Sequence, residues 1–162
     1  MTDFLFDMSE VDALFDDGEK SPSSCNIGLG AEVAFASKAI SMGFTVFMPF
    51  GHSQKADLVI WKPPSRAITV QVKKATYQKD GGNFKFMIGS GKPSCASNPL
   101  DYGLRYTPYQ RGDFDVMAVY MAERQSFVIY KLEDIVGKSS MRWTAGRNSE
   151  NNWDVLDIIS NM

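Results

Sequence analysis

The sequence predicts an α/β (α+β) domain with a mixed central sheet flanked by helices. Three observations predict it. Between residues 45 and 74, three β-rich runs, "TVFMPF", "DLVIWK" and "AITVQVKK", follow one another through the tight connections "GHSQK" and "PPSR", so antiparallel neighbours are the simplest arrangement. A helical pattern precedes these strands and another closes the chain. At 162 residues with 44% apolar side chains, the chain suits one domain with a real core and little room for a second.

Residues 1–26 read as an acidic arm and linker. "DFLFDMSEVDALFDD" places Phe4, Met8, Val11 and Phe15 at helical spacing, and "GEKSPSSCN" is turn-rich. The plainer reading is a solvated leader; the sharper one is a short helix that docks on a protein partner or covers the chain's own basic surface until DNA displaces it. "NIGLGAEVAFASKAISMGF" then predicts a helix with a cap at Asn26, an apolar stripe of Val33, Ala36 and Ile40, and a stop at Gly43. After the three strands, "GG" precedes the strand-like "NFKFMI", and the Ser/Pro/Gly/Asn-rich residues 89–112 read as a long loop. "DVMAVYMAERQSFVIYKL" reads as two strands whose short polar turn makes them a hairpin. The tail "NSENNWDVLDII" reads as an amphipathic helix with Trp153, Leu156 and Ile158 or Ile159 on its apolar side.

Charge is unevenly spread. The net charge of −2 combines seven acids and Lys20 in residues 1–20 with a remainder of 16 bases and 12 acids. A positive body with a detachable acidic arm is compatible with nucleic-acid binding. The chain has no long apolar run and an acidic start, which predicts a soluble protein of the cell interior, without a membrane partner. Cys25 and Cys95 have neither metal-site spacing nor the look of a disulfide framework.

The candidate chemistry lies at strand ends. Side chains alternate along a strand, so Gln71 and Lys73 project from one face and Val70 and Val72 from the other. If "DLVIWK" pairs with "AITVQVKK", Asp57 comes to the end of the sheet that carries Lys73, and Glu32 can reach it from the packed helix. Two carboxylates and an amide oxygen suit a hard cation such as Mg²⁺, with Mn²⁺ as a substitute. Lys73, beside a metal-bound water, can favour its hydroxide form and counter charge growing on a phosphate.

Asp57 followed on the next strand by "QVK", after "GLGAEVAFASKAISMGF", resembles the PD-(D/E)XK nuclease superfamily, in the variant with glutamine at the acid position found in intron-encoded homing endonucleases. The resemblance runs from residue 27 to about 132, and includes "YQRGDFDVMAVYMAERQSFVIYKL". It implies a restriction-endonuclease-like αβββαβ core over residues 27–162. It also implies a Mg²⁺-dependent endodeoxyribonuclease, with Asp57 as main metal ligand, Gln71 as supporting ligand, Glu32 as ligand directly or through water, and Lys73 as the group that activates water. Double-stranded or branched DNA is the implied partner. One site per chain implies a homodimer or homotetramer for cutting two strands. Ala56 stands where the literal motif has proline, and glutamine in place of an acid leaves the number of metal ions open. A Holliday-junction resolvase and a non-catalytic DNA-binding or assembly module are the rival readings.

Other residues are candidates for backbone contact. Lys74, Lys79 and Lys85 are interleaved with aromatics after the catalytic strand, and Arg105 and Arg111 lie among Tyr102, Tyr106 and Tyr109. His52, just before Asp57, is either a water-orienting residue or an exposed turn residue. Asp113 reads as a turn acid and Asp115 as the residue that opens a strand. "WTAGRN", with Arg142 and Arg147, reads as a backbone contact or a subunit surface.

Overall fold

The computed structural model describes residues 24–49, 55–93, 104–146 and 149–161. Helix α1 (Ser24–Ser41) leads into strands β1 (Thr45–Phe47), β2 (Leu58–Trp61) and β3 (Ile68–Lys74). Four short strands follow: β4 (Thr76–Gln78), β5 (Asn83–Met87), β6 (Ser90–Pro93) and β7 (Leu104–Thr107). The chain continues with β8 (Val116–Met121), β9 (Ser126–Lys131), the single-turn helix α2 (Leu132–Ile135), β10 (Ser140–Thr144) and α3 (Asp154–Ser160).

The central sheet has the order β1-β2-β3-β8-β9. As expected, β1, β2 and β3 are antiparallel neighbours and β8 and β9 form a hairpin. The sheet is mixed because β3 and β8 run parallel, with Val70 opposite Val116. All six residues of β8 are buried, which is why "VMAVYM" lacks the polar alternation of a half-exposed strand. The connection from β3 to β8 carries β4 to β7 and a single 3-10 turn (Lys79–Gly81); no α-helix stands in it among the described residues, where the αβββαβ order has one. No helix of the described residues is long and apolar enough to cross a membrane.

Helices α1 and α3 share one core with Ile68, Val70 and Val72. The expected stripe of α1 is wrong at two of its three positions, since Ala36 packs against the core and the other two do not. Val33 is 39% and Ile40 60% exposed, while Ala31, Ala34, Phe35 and Ala39 are buried. Small alanines let the helix lie close to the sheet, and Phe35 supplies the bulk, stacking on Trp153 at 5.3 Å and meeting Phe127 edge-on at 5.6 Å. The helix also begins at Ser24, before the expected cap at Asn26, so the last residues assigned to the arm and linker are helical. Gly43 ends it as expected, at φ +86°, a conformation that side chains disfavour. On α3, Leu156 and Ile159 are buried and Ile158 is exposed, which settles the alternative left at that position.

The other face of the sheet is covered by a three-stranded sheet of order β10-β5-β4. Phe84, Phe86 and Trp143 from it join Met117, Val119 and Met121 in a second core. Strands β4 and β10 were not anticipated. Residues 89–112 are likewise not only loop, because β6 and β7 pair as an antiparallel ribbon. Its first strand, "SGKP", carries glycine and proline, a composition without strand signature, and its second, "LRYT", is only four residues long.

Candidate active site

The site forms where β2 begins against the second half of β3. Leu58 is the first β2 residue in register, opposite Val70, so the chain before it supplies the groups that finish the ladder. The N–H of Asp57 donates to the Val70 carbonyl at 2.9 Å. Its carboxylate does the work a strand would have done next, since Oδ2 accepts the N–H of Val72 at 2.7 Å. The same oxygen accepts a short bond from Gln71 Nε2, which also donates to the Val72 carbonyl at 3.1 Å. Gln71 is buried although polar, and these bonds satisfy its donors. Among the described residues, no hydrogen bond reaches Asp57 Oδ1 or Gln71 Oε1.

Glu32 and Lys73 complete the cluster electrostatically. Burial pushes the Asp57 carboxyl up, against the Val72 N–H, the Lys73 charge and the Gln71 amide, which pull it down. Glu32 on α1 is raised by burial and then by Asp57, with Lys73 opposing. The Lys73 ammonium is pushed down by burial, against the two carboxylates. Lys73 therefore feels both carboxylates and Glu32 feels Asp57, and for all three burial is the first influence, disfavouring the charged form. The Lys73 ammonium lies 5.5 Å from the centre of the Tyr109 ring, and Phe114 meets that ring edge-on at 4.8 Å.

The donor set fits a hard divalent cation. Asp57 Oδ1, the Glu32 carboxylate and Gln71 Oε1 are all oxygens, two of them anionic, and a small cation completes such a shell with water. Among the described residues, no group of three or more His, Cys, Asp or Glu could hold a metal ion, so the amide is needed to bring this set to three donors.

Of the other candidates, Lys74 is exposed at the end of β3, Lys79 is exposed in the turn between β4 and β5, and Lys85 is half-buried on β5. Arg105 lies on β7. Arg111 is exposed and lines a cleft with Arg66, Asp115 and Lys131, at the end of β3 opposite to Lys73. His52 and the arm up to residue 23 lie outside the described residues. Asp113 is a turn acid, accepting the Gln110 N–H at 2.9 Å. Asp115 precedes β8 and accepts the N–H and hydroxyl of Thr69, both at 2.8 Å, and Arg66 at 3.0 Å. The sequence reading did not find the partnership of Tyr109 with Lys73, since no spacing rule links two residues so far apart in the chain.

Residues 24–153 match the family model of the PD-(D/E)XK endonucleases. Over 115 residues the chain is 32% identical to protein 5.3 of Escherichia phage T7, which covers 70% of this chain and 85% of the phage protein. In structure it is similar to a bacterial homing endonuclease, I-Ssp6803I, with a TM-score of 0.68 and 22% identity over 83% of this chain and 93% of that one.

Proposed function

The chain belongs to the PD-(D/E)XK endonuclease family, and from that premise we propose that it hydrolyses DNA phosphodiester bonds at the Glu32–Asp57–Gln71–Lys73 rim with a divalent cation. The observation that carries the reading is the state of Asp57, tied through Oδ2 to β3 while no hydrogen bond reaches Oδ1 among the described residues and the charge of Lys73 acts on the carboxylate.

Mg²⁺, with Mn²⁺ as a substitute, would be held by Asp57, Glu32 and Gln71, and would supply Lewis-acid stabilisation of a phosphate oxygen. The chain's own residues do the rest. The Val72 N–H and the Gln71 amide fix the orientation of the Asp57 carboxylate. Glu32 adds the second negative charge. Lys73, which feels the charges of both carboxylates, would hold the attacking water and counter the charge that grows on the phosphate. Burial on all three charged groups strengthens those interactions. The expected products carry 5′-phosphate and 3′-hydroxyl ends. The similarity to a homing endonuclease favours a site-specific double-strand cutter, which with one site per chain works as a homodimer or homotetramer.

The test incubates the full chain with supercoiled plasmid and with a four-way junction, with Mg²⁺, with Mn²⁺ and with chelator. Cleavage that needs the cation and falls by ~10³-fold or more in Asp57→Ala and Lys73→Ala is expected, the scale of removing a group that stabilises developing charge. Undiminished cutting by either variant removes the proposed site. Cutting of the junction alone turns the reading to a resolvase, and substrates bound but left intact, plasmids of randomised sequence included, turn it to a binding module.

A further inference from the structure

We infer that the outer face of the small β10-β5-β4 sheet is a DNA-backbone platform, with Lys85 and Arg142 as its paired phosphate contacts; this rests on the nuclease reading above. The register puts three residues in one row across the sheet. Thr76 on β4 is opposite Lys85 on β5, and Lys85 is opposite Arg142 on β10. Their neighbours along the strands, Phe84, Phe86 and Trp143, are buried in the second core, so by alternation the row stands on the outer face. Arg142 is exposed and Lys85 half-buried.

Like charges directly opposite on a sheet destabilise it, and natural pairs are more often of opposite sign or neutral. Here the pair has no local remedy. The ion pairs among the described residues are Arg66–Asp115, Arg124–Glu150 and Lys131–Glu133, and none includes Lys85 or Arg142. The rows on either side, Gln78–Asn83–Thr144 and Met87–Ser140, hold no acid. Two cations without a counter-charge, set among neutral hydrogen-bonding side chains, form a surface that an external anion completes.

The place of the row identifies the anion. Thr76 follows Lys73 by three residues along the extended chain, about 10 Å, so the row leaves the catalytic rim from the strand that carries Lys73. Crossing three strands at about 4.8 Å each, it presents charges in a line across an open sheet face. A line of this kind fits successive phosphates of a strand better than it fits one small phosphate. The sheet is held by a buried aromatic core, so the two cations are carried on a rigid element.

The test measures binding of the full chain to a short DNA duplex of arbitrary sequence, without divalent cation, over a range of salt concentrations. Inorganic phosphate serves as competitor. Lys85→Gln and Arg142→Gln are each expected to weaken binding about fivefold near physiological salt and to reduce the slope of log affinity against log salt by ~0.9, the signature of one lost phosphate contact. Lys38→Gln, on α1, which packs on the other face of the central sheet, is expected to change neither. Melting temperature should hold or rise in the two variants, because the like-charge pair is relieved, and phosphate at the duplex's phosphate concentration should not compete. A double variant with the wild-type affinity and slope overturns the platform while leaving the nuclease reading in place. Effective competition by inorganic phosphate overturns the backbone assignment. A wild-type chain that binds no duplex overturns both.

Discussion

The two ends of β3 each hold an aspartate against a strand edge, and the two are treated oppositely. At the first end, Asp115 accepts Thr69 twice through Oδ2 and Arg66 through Oδ1, and these bonds overcome burial to hold its carboxyl below the usual range. At the other end, Asp57 uses only Oδ2, and burial wins, raising its carboxyl. The basic partners differ in the same way. Arg66 touches its carboxylate at 3.0 Å, whereas Lys73 forms no ion pair among the described residues and lies over the Tyr109 ring instead. One end is electrostatically closed and contributes to stability. The other has charge left uncompensated, which is what a site awaiting a cation and a phosphate requires.

Exchanging the loss between the two ends gives the largest effects. Asp57→Asn should abolish cleavage while leaving thermal stability, measured without divalent cation, equal to the wild type or above it, since a buried charge is removed and the carbonyl can still accept from Val72. Asp115→Ala should do the reverse. It strands the Thr69 N–H and hydroxyl and costs about 2 kcal/mol in urea unfolding, typical for charge-assisted bonds, while the cleavage rate of the folded fraction persists. The partly exposed Arg66 adds little to that figure. If both variants lose stability equally and both keep cutting, the two ends are alike and the contrast fails.

The ring under Lys73 gives an intermediate effect. Tyr109 is a positioning residue here, and a cation over an aromatic face is worth about 0.5–2 kcal/mol. Tyr109→Leu should therefore lower kcat about tenfold with little change in KM for DNA, and Tyr109→Phe should restore most of it. Equal losses in the Leu and Phe variants would assign the role to the hydroxyl rather than to the ring, and a loss confined to KM would assign the residue to DNA contact.

The Asp57 end was legible because strand alternation is a strict rule. With β2 and β3 paired through "PPSR", Asp57, Gln71 and Lys73 had to meet at one rim. The helix was harder to read. Val33 and Ile40 look like core residues and the alanines look neutral, yet close packing on the sheet selected Ala31, Ala34 and Ala39. The small sheet escaped notice because β4 has three residues, all exposed, and β10 pairs with β5, far from it in the chain. The closed end was only half visible. Asp115 reads as a strand opener, but nothing local reveals that the parallel partner strand brings Thr69 and Arg66 to it.

The smallest effect is on pH dependence, and it separates the bonds that close the first end. Burial by itself would raise Asp115, but the Arg66 and Thr69 bonds prevail and its folded carboxyl titrates lower than an unfolded one. Such a group contributes stability that is complete above the unfolded value, about 3.9, and that is lost as pH falls through the folded value. Urea unfolding of the wild type should therefore lose more stability than Asp115→Asn between about pH 5 and the acid limit, with the two converging at the lowest pH. Arg66→Gln should lose the larger share of the wild-type slope, because the Arg66 bond is the first of the influences that lower the carboxyl and the Arg66 charge adds to it, while the two Thr69 bonds to Oδ2 keep the remainder. Parallel curves for wild type and Asp115→Asn would mean that the bonds to Asp115 favour its charge no more than water does, and the first end would then be no more closed than the second.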